Sequence, residues 1–479
     1  MRFLIRTFFC SLAVALLLFS MHGCKVSDTS KLPDLKKVPS AFGLASDSGT
    51  SPALSWRQFF ADPSLVRLID TALTSNPDVM MAYQRLEMGR AQIRAAKGAL
   101  LPSITGGVLA AQRKFGLYTM DGAGNITTEV TPGKIVPIHL PDYFVGVQAS
   151  WEADIWGKLH HRKKAALSRY LASEAGKHLI QTNLVYEVAT AYYELIALDT
   201  ELDMVQDNIR LQQNALNIVL IQKQAGAANE LAVKQFEAQV ANSKALQLEV
   251  VQRVVQNENY INLLLGRFPQ TVERNKQQLT SDLPVAIQSG LPVALLENRP
   301  DIRMAGFGLA ATNFDVNAAK AAFYPSLNLT GSLGYQAFDP SYFLKTPESY
   351  VYSLIGGLAA PLLNRSAVKA YFQAAKASQL EALYQYQKTV LNAFAEADIE
   401  MRNIRKLQQI NELKTTEANA LTQSIEISND LFRTGQATYL EVLFVQQNAL
   451  RSQLELITIQ KKRFQSSAVL YKALGGGWK

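Results

Sequence analysis

The sequence predicts an α+β membrane protein in which one unit of long helices and short strands is built twice. Three observations predict it. A segment of the first half returns 223 residues later, helical stretches far exceed globular lengths, and four short runs alternate apolar with polar residues.

The repeat is legible residue by residue. "NPDVMMAYQRLEMGRAQIRAAKGALLPS" lies over "RPDIRMAGFGLAATNFDVNAAKAAFYPS", and from Pro77 to Ser103 eleven of 27 positions are identical without a gap. A second pair, "QAGAANEL…NLLLG" and "RTGQATYL…YKALG", places forty residues between Gly226 and Gly266 and again between Gly435 and Gly475. Units this large differ from the short periods of solenoids and imply one architectural unit duplicated around a shared axis.

The N-terminus is set aside first. Arg2 and Arg6 precede an apolar run from Phe8 to Phe19 and then "SMHGCK", so residues 1–23 read as an export signal. The run is too short to span a bilayer permanently. The segment resembles a bacterial lipoprotein signal, which implies that Cys24 becomes the lipidated first residue. Met21 and His22 stand where that pattern has leucine and a small residue, and a plain signal peptide is the alternative. Cys10 leaves with the signal, so Cys24 has no intramolecular partner and stability rests on packing. Residues 24–55, rich in Ser, Pro, Asp and Lys, read as an extended tether. The formal charge of +8 would suggest nucleic acid in a cytosolic chain, but an exported one meets none. The densest basic cluster, "KLHHRKK" at Lys158 to Lys164, reads as a solvated helix start, with a patch near anionic lipid as the alternative.

The first repeat spans residues 56–290: a helix, a β-hairpin over about 103–153, long helices over about 158–266 and a linker. Its strands lie near 103–117 and 142–153, separated by an exposed Gly- and Pro-containing loop at 118–140. In the later strand Tyr143, Val145, Val147, Ala149 and Trp151 share one face, with Gly146, Gln148, Ser150 and Glu152 on the other. The second repeat spans 291–479, with a hairpin over about 326–360 (strands near 326–338 and 348–360), long helices over about 366–474 and a C-terminal tail. There the helix of "AAKAAFYPSLNLTGS" stops at Pro325 and a strand begins. Ser366 to Thr434 holds no proline or glycine, which at 1.5 Å per residue permits a rod of roughly 100 Å. Its counterpart, about 158–225, is interrupted only by Gly176. Apolar positions such as Leu184, Val188, Tyr192 and Leu195 form a narrow helical stripe that suits rods packed side by side.

Four strands cannot close a barrel alone. An open sheet edge in lipid costs several kcal/mol per unpaired group, and known single-chain barrels begin at about eight strands. Strands in a membrane would therefore need several copies of the chain; small sheets inside a soluble protein are the alternative.

The stretches "GLPVALLENRPDIRMA", "AKAAFYPSLNLTGSLGY", "GQATYLEVLFVQQNALRSQLELI" and "ALGGGW" carry a resemblance. Over roughly residues 55–478 the chain resembles TolC-like outer-membrane efflux proteins, in particular the lipoprotein branch that works with resistance-nodulation-division pumps. The resemblance implies a homotrimer in which each protomer gives four strands to one twelve-stranded transmembrane antiparallel β-barrel, continuous with a long α-helical periplasmic barrel. It puts Pro102 and Pro325 at the helix-to-strand junctions, and Gly226 and Gly435 at helix-hairpin tips that contact a periplasmic adaptor protein. Outer-membrane lipid and an inner-membrane efflux pump are the other implied partners, with no cofactor and no nucleic acid.

In the resembled family the helix after the second tip narrows the tube. Here Leu440 and Phe444 are four apart and share a face, so three copies would stack apolar rings that close a pore by dewetting. Packing between neighbouring helices is the alternative role. Family members often carry aspartate where Phe444 stands, so no acidic gate is expected, and Glu441 should face elsewhere. No catalytic motif is present, and adjacent His160 and His161 point about 100° apart on a helix, which rules against one shared metal. The chain reads as a non-enzymatic efflux duct. The alternatives are a conduit for secreted polypeptide and a lipid-anchored coiled-coil spacer or adhesin without a pore.

Overall fold

The computed structural model describes residues 55–60, 62–276, 279, 294–360 and 365–478, with isolated positions 33, 34, 36 and 39 of the leader. The export signal and Cys24 lie outside the described residues. In chain order the elements are α1 (Trp56–Phe59), α2 (Pro63–Ser75), α3 (Pro77–Gly98), β1 (Ser103–Lys114), α4 (Met120–Asn125), β2 (Glu129–Thr131), β3 (Lys134–Ile135), β4 (His139–Ala153), α5 (Lys158–Gln224) and α6 (Glu230–Leu264). The second half supplies α7 (Ala294–Asn298), α8 (Pro300–Ala321), β5 (Ser326–Ala337), β6 (Tyr350–Ala359), α9 (Ser366–Arg433) and α10 (Tyr439–Ala473). Pro63, Pro77 and Pro300 each open a helix, where the fixed φ fits and the missing N–H is not needed. The two longest helices, α5 and α9, have 67 and 68 residues, and α5 runs through Gly176 unbroken.

Two compact units form. One holds Met88–Tyr170 and Phe307–Leu383; the other holds the segment ending at Glu87, Leu171–Gly306 and the residues from Tyr384 onward. Each unit draws on both repeats, because the elements of one copy pack against those of the other.

The first unit contains the sheet. Its order is β1-β4-β5-β6, antiparallel throughout, so pairing of β4 with β5 merges the two hairpins into one sheet. Register aligns the apolar positions of all four strands: Val108, Val145, Tyr335 and Tyr350 form one row, and Gly106, Val147, Leu333 and Tyr352 the next. Ile104, Ala149, Gly331 and Leu354 continue the same face, followed by Trp151, Leu329 and Gly356. The opposite face carries the row Thr105, Gln148, Ser332 and Ser353, whose two serine hydroxyls lie 2.8 Å apart. The apolar face lies open in the protomer, with Val108 81% and Leu354 82% exposed.

Gly146 and Gly334 are paired across β4 and β5, and a Cβ on Gly146 would lie 2.7 Å from the Gly334 Cα and collide with the Leu333 carbonyl oxygen. Gly107, beside Gly146 on β1, has open space around it.

The segment expected as a plain loop, 118–140, is more ordered than its glycines suggest. Thr119 caps α4 by accepting from the Gly122 N–H at 3.1 Å, and β2 and β3 form a short ladder around Gly133, whose φ is +76°. Strand β4 begins at His139 instead of 142 because Leu140 and Pro141 still pair with Arg113 and Gln112. An Arg113–Asp142 ion pair at 3.1 Å holds that end.

The second unit is built on a large apolar core. Phe59 and Phe60 of the N-terminal segment are buried with Tyr192, Tyr193, Ile261 and Phe464 of the long helices. Phe59 stacks on Tyr471 with centroids 4.3 Å apart. Arg274 bridges Asp199, at 2.7 and 2.9 Å, and Glu258.

A latch appears twice in this unit. The Asn76 side-chain amide donates to the Leu264 carbonyl at 2.9 Å, and the Arg299 guanidinium donates to the Ala473 carbonyl at 2.9 Å. Asn76 and Arg299 each precede the proline that opens a repeat helix, and Leu264 and Ala473 each end a returning helix. Gly266 sits against Ser75 and Gly475 against Asn298, both at positive φ, so a side chain at either place would strike backbone. Arg299 is buried and also pairs with Asp301, at 3.0 and 2.8 Å, and with Glu396 at 2.8 Å.

Two outcomes check this packing. Gly146→Val should lower the sheet's thermal transition by the equivalent of about 1–3 kcal/mol, whereas Gly107→Ala should leave it within about 1 kcal/mol, both followed by circular dichroism. Arg299→Met strands two partly buried carboxylates and a carbonyl and should cost about 3–5 kcal/mol in denaturant unfolding.

Candidate functional site

The helix-hairpin tips are assembled from local chemistry. At the end of α5 the Ala227 N–H donates to the Gln222 carbonyl at 2.7 Å and the Gly226 N–H to the Lys223 carbonyl at 3.0 Å. This is a Schellman motif, which needs the left-handed φ of +76° that Gly226 adopts. At the end of α9, Gln436 donates to Leu431 at 2.8 Å and Gly435 to Phe432 at 3.2 Å, with Gly435 at φ +75°. Gly266 and Gly475 close their helices in the same way, so the four glycines of the forty-residue spacing do one job.

Each tip then restarts a helix with a side-chain cap. The Asn229 side-chain oxygen accepts from the Ala232 N–H at 2.9 Å. Thr438 and Glu441 form a capping box in which the Glu441 carboxylate accepts from the Thr438 N–H at 2.6 Å and its hydroxyl at 2.9 Å. These bonds hold the Glu441 carboxyl below its ordinary value. Beneath the turns Val219, Phe236 and Leu443 are buried together, with Phe432 and Tyr439 packed against them, so the two hairpins share one small core.

Along α10 the side chains divide by face. Val442, Leu443, Gln446 and Ala449 are buried, while Leu440 and Phe444 are 52% and 66% exposed. Leu440 and Phe444 border an open groove with Gln235, Gln239 and Gln447. The Gln447 amide donates to the Gln239 side-chain oxygen at 2.8 Å. Glu441 stands at the groove margin with its carboxylate turned back onto Thr438.

The prolines lie in the first unit, where β4 separates their two strands. Below Pro102 the Leu100 carbonyl accepts from the Trp151 indole N–H at 3.0 Å. The Pro325 carbonyl accepts from the Trp156 indole at 2.7 Å, and Trp156 stacks on Tyr324 with centroids 4.9 Å apart. Carbonyls left without a helical or sheet partner at each junction are thus satisfied by tryptophan. The sequence reading missed this pairing, although one indole near the end of β4 and another three residues past it are a usable signal. Asp154 starts α5 by accepting from the Leu159 and His160 N–H groups at 2.9 and 2.8 Å, and its carboxylate also holds the His160 ring at 2.7 Å. His161 instead lies beside the Phe314 ring, 6.1 Å between centroids.

Three outcomes follow for the tips. Gly226→Val or Gly435→Val should cost about 1–2 kcal/mol locally, read as faster amide exchange of the adjoining helix ends. Thr438→Ala should loosen the start of α10 by about 1 kcal/mol on the same readout. The depressed Glu441 carboxyl contributes to cap stability above its ordinary value of 4.5, so the protection of amides at the start of α10, taken against the intrinsic exchange rate at each pH, should fall as pH drops below that and Glu441 protonates.

The arrangement matches known proteins along nearly the whole chain. The pyoverdine export outer membrane protein OpmQ of Pseudomonas putida is 29% identical over 435 residues, covering 91% of this chain and 90% of that one. The toluene efflux pump outer membrane protein TtgI of Pseudomonas putida is 30% identical, with 88% and 87% covered. The cation efflux system protein CusC of Escherichia coli is 26% identical, with 98% and 99% covered. Among solved structures, the outer-membrane channel OprN superposes with a TM-score of 0.82 at 25% identity, covering 95% of this chain and 100% of that one. The description of the outer membrane efflux protein family matches residues 68–267 and 291–476, and the chain belongs to that family.

Proposed function

We propose that the chain is the outer-membrane channel subunit of a tripartite efflux system, a passive exit duct for small molecules whose driving energy comes from an inner-membrane pump through a periplasmic adaptor. The observation that carries this is the sheet: four strands with one continuous apolar face and with β1 and β6 as unpaired edges among the described residues. No helix of the described residues is long and apolar enough to cross a membrane, so the sheet is the described element suited to lipid. Three protomers, joining β6 of one to β1 of the next, would satisfy the edges and close twelve strands. The apolar rows would face lipid and the Thr105–Gln148–Ser332–Ser353 row a wet lumen.

The remaining parts take their roles from this arrangement. The duplicated units, 56–290 and 291–479, supply equivalent staves, and Pro102 and Pro325 mark where periplasmic helix becomes membrane strand. Lipidation at Cys24 would add an anchor to the tether. The Gly226 and Gly435 tips present the surface for the adaptor. Leu440 and Phe444, exposed on one face of α10, form the constriction, an apolar ring in three copies. The named cargoes of OpmQ, TtgI and CusC are all small species, which supports small-molecule export over polypeptide secretion.

Reconstitution in planar bilayers tests the reading: stepwise conductance is expected, and a lipid-anchored spacer would give none. Replacing both Leu440 and Phe444 with serine should raise the conductance of a normally assembled channel. Unchanged conductance would return these two residues to a packing role.

A further inference from the structure

The basic cluster at the start of α5 is part of a larger feature. Within residues 88–102, 154–170, 307–325 and 365–383, all helical or turn segments flanking the sheet, stand twelve lysines and arginines against three acids. Their net charge is +9, against +8 for the whole chain, so the rest of the protein is close to neutral. All of these residues belong to the unit that holds the sheet.

The charges are patterned and duplicated. Lys158, Arg162 and Arg169 recur 207 residues later as Arg365, Lys369 and Lys376, at identical spacing along one face of α5 and of α9. Lys158 and Arg365 stand at the helix starts, Arg162 and Lys369 about one turn in and Arg169 and Lys376 about three turns in; Asp154 caps α5, whereas α9 has no acid in its first turn. Lys158 is held by Glu152 at 2.5 Å, and Arg169 by Asp315. The middle members, Arg162 and Lys369, are exposed and have no ion-pair partner among the described residues. The same end of the sheet carries Trp151, Trp156 and Tyr324, the side chains that favour a membrane–water interface. Arg162 lies about one turn into α5, which begins five residues after the last residue of β4, and Lys369 lies in the first turn of α9.

We propose that this basic collar binds the phosphate headgroups of anionic phospholipid in the leaflet bordering the helix end of the sheet, and so fixes how deeply the sheet sits in the membrane. The proposal rests on the reading of the sheet as a membrane barrel. The apolar rows end in a tryptophan belt, and the next layer outward is where headgroup phosphates lie. Phosphate supplies the counter-charge that the protein withholds from Arg162 and Lys369. Free phosphate has the same chemistry, but the aromatic belt and the apolar face select a phosphate that carries acyl chains.

The test uses the full chain, purified in detergent with equal amounts of phosphatidylglycerol and phosphatidylethanolamine, and counts retained lipids by native mass spectrometry. Wild type should retain phosphatidylglycerol with a preference of about 25-fold, at about fivefold for each of these two basic residues at an anionic surface. Arg162→Gln with Lys369→Gln should bring that preference near unity, and Arg162→Lys with Lys369→Arg should keep it. No preference in wild type, or an undiminished one in the glutamine variant, overturns the proposal. Displacement of the lipid by excess inorganic phosphate would assign the charges to a free anion and also overturn it. So would a change in the ion selectivity of the conductance with lipid retention unaltered, since the charges would then line the duct. A chain that conducts but shows no lipid preference fails this proposal alone, whereas a chain that never conducts fails the channel reading.

Discussion

Unpaired backbone at the two edges of a four-stranded sheet is the constraint on which the rest of the structure depends. Each edge strand presents a row of N–H and C=O groups that water can satisfy and lipid cannot. The sheet's one face is apolar from β1 to β6, so in the proposed channel its surroundings are decided together with its edges: lipid outside, identical neighbours at the sides. The long helices, the tips and the prolines all make sense as parts that carry such a sheet and end it cleanly.

Duplication supplies symmetry without supplying independence. β4 of the first copy pairs along its length with β5 of the second, and the close Gly146–Gly334 approach lets the two backbones meet without a side chain between them. In the other unit both copies use one latch, a polar side chain before a helix-opening proline gripping the last carbonyl of a returning helix. The copies differ in what they place there. Asn76 is neutral, whereas Arg299 brings a charge and with it Asp301 and Glu396, a buried group whose removal strands its partners.

Much of this was legible in residue patterns. Helix stops followed from Pro102 and Pro325, helix reversals from Gly226 and Gly435, and the apolar face of β4 from strict alternation, because each is a property of local backbone. That Leu440 and Phe444 share a face follows from their spacing; that the face is exposed in the protomer does not. Other features were hidden. The short helix after Thr119 was masked by glycines, since its cap depends on one hydroxyl reaching one N–H. The Trp151 indole looked like a strand aromatic, and Trp156 drew no reading at all, until the fold brought a vacant carbonyl to each.

The sequence by itself determined the repeat, the lengths of the rods, the places where they turn and the alternation within each strand, because these depend on neighbours a few residues away. Tertiary structure alone decided that the hairpins merge through β4 and β5, that four separate alternations register into one apolar face, and that basic residues from both copies gather beside the same end of that sheet. Those outcomes depend on pairings between residues roughly two hundred positions apart, and no local propensity specifies a register.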